Sequence, residues 1–587
     1  MKRLLVYLKD YKKESILAPL FKMLEASFEL FVPLVVADMI DTGISSKDGG
    51  YILRMGGLLL LLAAIGLTCS ITAQYYAAKA ATGFAAKMKH ALFAHIQKLG
   101  YTEMDTQGTS TLITRMTSDS NQVQNGVNLV LRLFLRSPFI VLGAMVMAFT
   151  IDVQAALIFV VAIPLLSVVV FGIMVASIPL YKKVQGRLDS VLEITRENLT
   201  GVRVIRAFHQ EEEETRRFEE SNQALTKVQM FVGRISALMN PLTFVIVNGA
   251  IMALIWTGAW KVDSGVLTQG QVVALVNYMS QILVELVKLA NLIINITKAL
   301  ACAKRIEGVF EIHASLTEPA DTVNGWERKG ETIVNFNHVT LKYKNAGAPS
   351  LTDIDFHVKR GETVGIIGGT GSGKTSLVNL IPRFYDVTEG SVCINGTDVR
   401  KFSLDGLRRR IGIVPQKAVL FAGTIRENLR WGKDDATEEE MKEALRVSQA
   451  MEFVESKEGG LDAVVAQGGK NLSGGQRQRL TIARAVIRKP DILILDDSAS
   501  ALDFATDARL RKSIREMEHQ PTVFIVSQRA ASIQHADQII VLDDGMMAGI
   551  GTHEELLNSC SVYQEIYYSQ FKKTTGSQTD FVQGKEA

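Results

Sequence analysis

Cysteine is scarce in this chain: Cys69, Cys302, Cys393 and Cys560 are the four in 587 residues, and they lie far apart. That scatter has no metal-ligand spacing and excludes a zinc module or a disulfide-stapled fold, leaving reduced, buried or incidental thiols. Charge of one sign is lacking too. Lys plus Arg number 64 against 61 for Asp plus Glu, a net of +3 that argues neither for nor against nucleic acid. No small-residue cleavage site follows the basic start MKRLLVYLKDYKKES, which runs directly into a longer apolar segment and so reads as a cytoplasmic flank. No internal repeat is visible. What is abundant is apolar surface: 47% of residues are hydrophobic and the mean hydropathy is positive. Over a length that calls for several domains, this points to a membrane portion.

A bilayer takes about 20 apolar residues per helix, and such stretches fall near 16–40, 52–80, 128–151, 154–181, 232–260 and 271–298. Six spans are therefore expected. Short connections follow spans one, three and five, whereas those after spans two and four are long and charged. Lys2, Arg3, Lys9, Lys12 and Lys13, with the basic residues of the long loops, put the N-terminus and those loops in the cytoplasm. Span six carries Asn277, Gln281, Glu285, Lys288, Asn291 and Asn295 on one helical face. Polar groups at membrane depth are costly unless they face water or partners. The stripe either lines a translocation cavity, or packs on polar faces of neighbouring helices or lies in a cytosolic extension. Lys22, Glu25 and Glu29 make a shorter stripe in span one, whose acids favour cationic substrates unless Lys22 and Glu25 pair internally.

The second half carries chemistry in contiguous form. Thr363 to Ile367 is apolar and β-branched, reading as a buried strand, and it delivers the loop Gly368, Gly369, Thr370, Gly371, Ser372, Gly373, Lys374 and Thr375. The glycines let backbone N–H groups close around a polyphosphate, Lys374 supplies a point charge to the β/γ-phosphates, and the Thr375 hydroxyl can ligate Mg²⁺. A helix beginning near Ser376 completes the context. A second buried run, Ile492 to Leu495, ends in Asp496, a carboxylate placed to help hold Mg²⁺. Between them lies Leu472, Ser473, Gly474, Gly475 and Gln476, able to present a helix N-terminus to a phosphate.

These motifs resemble the ATP-binding cassette family, whose signature is that pentapeptide, and the resemblance spans nearly the whole chain. It implies that Tyr343 stacks on adenine, that Gln416 in VPQKAVLF senses Mg²⁺ and touches the membrane domain, and that Ser500 to Asp503 form the D-loop. It also implies that each ATP site is shared between two chains, the phosphate loop of one facing the signature of the other. Two positions depart from the pattern. Asp497 stands where the family carries a catalytic Glu, and Gln528 where it carries a switch His. Asp is one methylene shorter, drawing the carboxylate back by about 1 Å, a shift that costs on the order of a hundredfold in rate. Gln donates a hydrogen bond but carries neither the imidazole's charge nor its proton. A third departure, Ala466, Gln467, Gly468 and Gly469 in place of a Gly-Glu-x-Gly stretch, either tunes cross-talk between sites or is neutral.

The expected architecture is an all-α transmembrane domain of six helices over 1–310, a linker at 311–332, an α/β P-loop nucleotide-binding domain over 333–571, and a disordered tail at 572–587. Thr109 to Asp119 and Glu197 to Phe208 resemble the family's coupling segments, with Gln416 where such a segment would land. The resemblance implies ATP with Mg²⁺, membrane lipid, a small amphiphilic substrate and a second half-transporter chain, but no nucleic acid. The heterodimer follows from the departures: a partner would complete this chain's Ser473, Gly474, Gly475 and Gln476 with an intact Glu and His. Multidrug-type export across a bacterial inner or cell membrane leads. A lipid exporter, a peptide exporter (weakened because no N-terminal peptidase precedes span one) and an ATP-gated regulatory subunit are the alternatives. Glu25, Glu29, Asn277, Gln281, Glu285, Asn291 and Asn295 are the cavity candidates.

Overall fold

The computed structural model describes residues 3–318, 326, 330–498 and 500–571. The expected tail, 572–587, and residues 319–325 and 327–329 of the expected linker lie outside the described residues. The chain forms two compact units, Met1–Lys98 with Thr109–Ile312, and Leu99–Gly108 with His313–Ala587.

The first unit is helical throughout. Its longest helix, Val153–Ala207, has 55 residues, which at about 1.5 Å per residue gives roughly 80 Å, far more than the ~30 Å of a hydrocarbon core. The buried cluster between the helices mixes large side chains such as Phe159, Leu166 and Tyr278 with small ones, Ala26, Ala37, Ala144, Ala148, Ala155 and Ala156. Without a hydrophobic driving force between helices in lipid, small residues let backbones approach and gain dispersion contacts. Helix starts are capped. The Asp152 carboxylate accepts from the Ala155 N–H, and Thr268 forms a reciprocal capping box with Gln271 at the start of Gln269–Phe310. Among the described residues five helices are long and apolar enough to cross a membrane. The first expected span forms a helix, Lys12–Asp38, outside that set: Lys22, Glu25 and Glu29 interrupt its apolar run.

The second unit contains a six-stranded sheet in the spatial order Met546–Gly551, Gln538–Asp543, Thr363–Gly368, Thr522–Val526, Ile492–Asp496, Ile411–Val414. All neighbours are parallel except the first pair. Continuous apolar runs are what parallel strands covered on both faces require. Register sets the site: Val526 lies level with both Ile366 and Asp496. The residues after these three strands therefore leave the sheet at its carboxyl edge, where α/β sheets bind ligands.

The residues expected to form one coupling segment, Thr109–Asp119, group with the helical unit. Those residues are the helix Thr109–Thr114 and a π-helical turn, Arg115–Asp119. The neighbouring stretch in the second unit is the seven-residue helix Tyr101–Gln107, bracketed by Gly100 and Gly108. Gly108, at φ +74°, stops it in the left-handed conformation that favours glycine. The other expected segment is the end of Val153–Ala207 plus Phe208, with Leu199, Val204 and Phe208 exposed.

Candidate functional site: the nucleotide cleft

Gly373 closes the phosphate loop at φ +94°, and a Cβ there would lie 2.7 Å from the Ser350 carbonyl oxygen, so geometry and space both demand glycine. The helix Lys374–Leu380 starts immediately after it. Lys374 is buried and folds back on the loop, its Nζ donating to the Gly368 oxygen at 3.0 Å, the Gly369 oxygen at 2.5 Å and Ser372 Oγ at 3.3 Å. Burial pushes the Lys374 ammonium below its ordinary pKa, while Asp497 and Asp496 pull it back up. Phosphate oxygens are the natural replacement for those carbonyl acceptors.

Thr375 Oγ1 donates to both Asp496 oxygens, at 3.1 and 3.0 Å. A hydroxyl and a carboxylate side by side are hard oxygen donors, a set that fits Mg²⁺. The chain thus brings two of the three residues expected to hold the metal into direct contact, and the third, Gln416, lines the same cavity as Thr375. Burial pushes the Asp496 carboxyl up, with Asp497 adding to the shift and the Thr375 hydroxyl and Lys374 opposing it. Asp497 turns off the strand at φ +46°, an uncommon conformation for a non-glycine residue though one Asp tolerates. Its N–H donates to the Val526 carbonyl at 2.9 Å, and Gln416 Nε2 makes a long contact of 3.4 Å to its carboxylate. Gln528 and Gln416 line one cavity of about 370 Å³ with Thr370, Gly371, Gly373, Lys374, Thr375 and Ser376. Pro349, Ser350, Asp544 and Gly545 also line it, and sequence reasoning missed them.

Tyr343 lines the adjoining cavity, which shares Thr375. Its hydroxyl donates to Ser376 Oγ at 2.9 Å, and its ring meets the Tyr385 ring edge-on at 4.9 Å. Tyr385 Oη in turn donates to Asp105 of the Tyr101–Gln107 helix at 2.7 Å. Tyr101 from that helix packs on Phe384 at 4.4 Å. Burial, with Asp105 reinforcing it, drives the Tyr385 phenol far above its usual pKa, so the hydroxyl stays a donor.

Ser473 caps the helix Gly474–Val486, and its capping box with Gln476 leaves Ser473 and Gly474 exposed. None of residues 472–476 is among the described residues lining the phosphate-loop cavity. The signature and the loop of one chain are not brought together.

In the helical unit, Glu285 is buried and accepts from Arg136 Nη1 at 2.7 Å and Ser137 Oγ at 2.8 Å. Glu29 accepts from Arg136 Nη2 at 2.7 Å, and Lys22 donates to Glu25 at 2.5 Å, so the internal pairing of those two is the one formed. Asn277, Gln281, Glu285 and Glu29 line one cavity of about 400 Å³. Asn291 and Asn295 do not line it; the Asn295 amide donates to the Asn291 carbonyl. Arg136 was missed, although a basic residue inside an expected span is itself a signal of an interior partner.

Residues 15–286 match the family described as ABC transporter transmembrane region, and residues 351–500 match the family described as ABC transporter. An uncharacterised ABC transporter ATP-binding protein of Mycobacterium tuberculosis (strain CDC 1551 / Oshkosh) is 36% identical over 578 residues, 97% of this chain and 98% of its own. The ABC transporter ATP-binding protein YfiB of Bacillus subtilis (strain 168) is 35% identical over 578 residues, 97% of this chain and 99% of its own. An ATP-dependent lipid A-core flippase of Yersinia pestis bv. Antiqua (strain Antiqua) is 28% identical over 575 residues, 97% of each chain. A solved bacterial Atm1-family ABC exporter with ATP bound shares the fold, with a TM-score of 0.79 at 23% identity over 96% of this chain and 100% of that one. The chain belongs to the ABC transporters, as a membrane-spanning exporter half whose second unit is the ATPase coupled to transport.

Proposed function

We propose that this chain exports amphiphilic, drug-like compounds as one half of a heterodimer and that its own ATP site turns over slowly. The observation that carries this is the position of Asp497 and Gln528 at the carboxyl edge of the sheet, around the cleft of Lys374, Thr375 and Asp496. A shortened acid and an amide occupy the places from which a general base and a proton-bearing ring would act on water and the γ-phosphate. In this reading Gly368 to Ser376 hold the phosphates, Tyr343 stacks on the base, and Thr375, Asp496 and Gln416 hold Mg²⁺. Ser473, Gly474, Gly475 and Gln476, the first two exposed, complete a competent site on a partner that supplies Glu and His. ATP bound at both sites shifts the population toward the closed form, and hydrolysis at the partner's site resets it.

Two substitutions test the reading. D497E with Q528H should raise hydrolysis at this chain's own site by about a hundredfold. Single-turnover hydrolysis by the partner-bound complex reads it out, and an unchanged rate would remove the slow-site proposal. A homodimer of this chain that hydrolyses ATP as fast as other exporters would remove the heterodimer. Lipid export is the second reading, favoured by the similarity to a lipid A-core flippase.

A further inference from the structure

The cavity of about 400 Å³ in the helical unit is bordered by a linear run of alternating charge. It passes from Glu29 to Arg136, then to Glu285, then to Lys288, each link a direct ion pair of 2.7 to 2.9 Å. The two middle members are buried, with side chains 9% and 4% exposed, whereas the ends are open, Glu29 at 43% and Lys288 at 49%. Both open ends line the same cavity, with Asn277, Ser280 and Gln281 alongside. Two polar atoms at the run are shielded from solvent and lack a partner among the described residues: Arg136 Nε, a donor, and Gln281 Oε1, an acceptor.

The charges sum to zero, two carboxylates against two cations. In a low-dielectric setting a ligand of net charge would bring a charge that the neutral run cannot compensate, which is costly. A ligand carrying both signs brings no net charge. Its cation pairs with Glu29 and can donate to Gln281 Oε1, while its anion pairs with Lys288. We infer that this cavity binds amphiphiles with a zwitterionic head, an ammonium and an acidic group on one molecule, and discriminates against heads of a single sign. The inference rests on the export reading and narrows its substrate class.

The test reconstitutes the full transporter with its partner in vesicles and follows ATP-dependent movement of acyl-labelled lipids. These carry a phosphoethanolamine, a phosphoglycerol or a trimethylammonium head. A soluble short-chain zwitterionic amphiphile run in parallel separates a lipid from a free compound as the source of the head. The wild type should move the zwitterions about tenfold faster than either singly charged head. E29Q should shift preference toward the anionic head, K288Q toward the cationic one, and K288R, which keeps the charge, should retain the wild-type order. A wild type that prefers a head of one sign, or E29Q and K288Q with the wild-type order, overturns the inference while leaving export standing. Movement of none of the compounds overturns the export reading and this inference with it.

Discussion

In the proposed Mg²⁺ site, Asp496 meets two opposed demands. Metal binding needs its carboxylate charged, yet burial on the strand Ile492–Asp496 favours the neutral form and raises its pKa. The sign of the pH dependence follows. As pH falls, Asp496 takes up its proton at a higher pH than an ordinary aspartate near 3.9, so Mg²⁺-dependent nucleotide binding should begin to weaken above that range. Stability runs the other way: the buried charge costs stability above the raised pKa, and the cost disappears as the proton arrives. Nucleotide titrations with and without Mg²⁺ across mildly acidic pH should show the loss only with metal, and D496N should abolish that difference. Residues of this kind are readable from sequence because each motif is contiguous and its strand is a plain apolar run. Arg136 is harder to read: its partners Glu29 and Glu285 lie 107 and 149 positions away, and only the fold brings them together.

Helices pose a register problem that strands here do not. In the long connection after span two, resemblance to the family's coupling segments points to 109–119. The stretch that groups with the second unit lies eight residues earlier, in the helix Tyr101–Gln107, between two glycines. The signal was present locally. Glu103 accepts from the Gly100 N–H, closing the first turn, and Gly108 ends the last one. Periodicity cannot see such boundaries, since one long amphipathic run and two helices broken by glycine look alike until caps are weighed. The pairing of Arg136 on helix Arg136–Ile151 with Glu285 on helix Gln269–Phe310 fixes those two elements on each other. Arg136→Ala should therefore destabilise the helical unit by about 1.5–3 kcal/mol, because the buried Glu285 carboxylate loses its buried guanidinium partner and keeps only Ser137 and the half-exposed Lys288. Thermal unfolding in detergent measures this, and Arg136→Ala combined with Glu285→Leu should recover most of the loss.

At the scale of the whole molecule, five of the six expected spans meet the length and hydropathy of a crossing helix, and the charges of the first set it apart. The two strands that lead into the phosphate loop and into Asp496 were legible as plain apolar runs, whereas the order of the six strands and the assignment of Leu99–Gly108 to the second unit were not. That assignment can be tested at one atom. Tyr385→Phe removes the hydroxyl that donates to Asp105, a hydrogen bond worth about 1 kcal/mol. It should lower the ratio of substrate-stimulated to basal ATP hydrolysis in vesicles, with Tyr385→His as a donor-bearing control. The chain enters this short helix from Gly49–Ile96 and leaves it toward Ser120–Leu133. Tyr343, Tyr385 against its edge and the Asp105 carboxylate on the helix form one unbroken line of touching groups. If Tyr343 takes the base as proposed, occupancy of its pocket should therefore reach, through three touching side chains, a short helix that the chain enters from the 48-residue helix Gly49–Ile96.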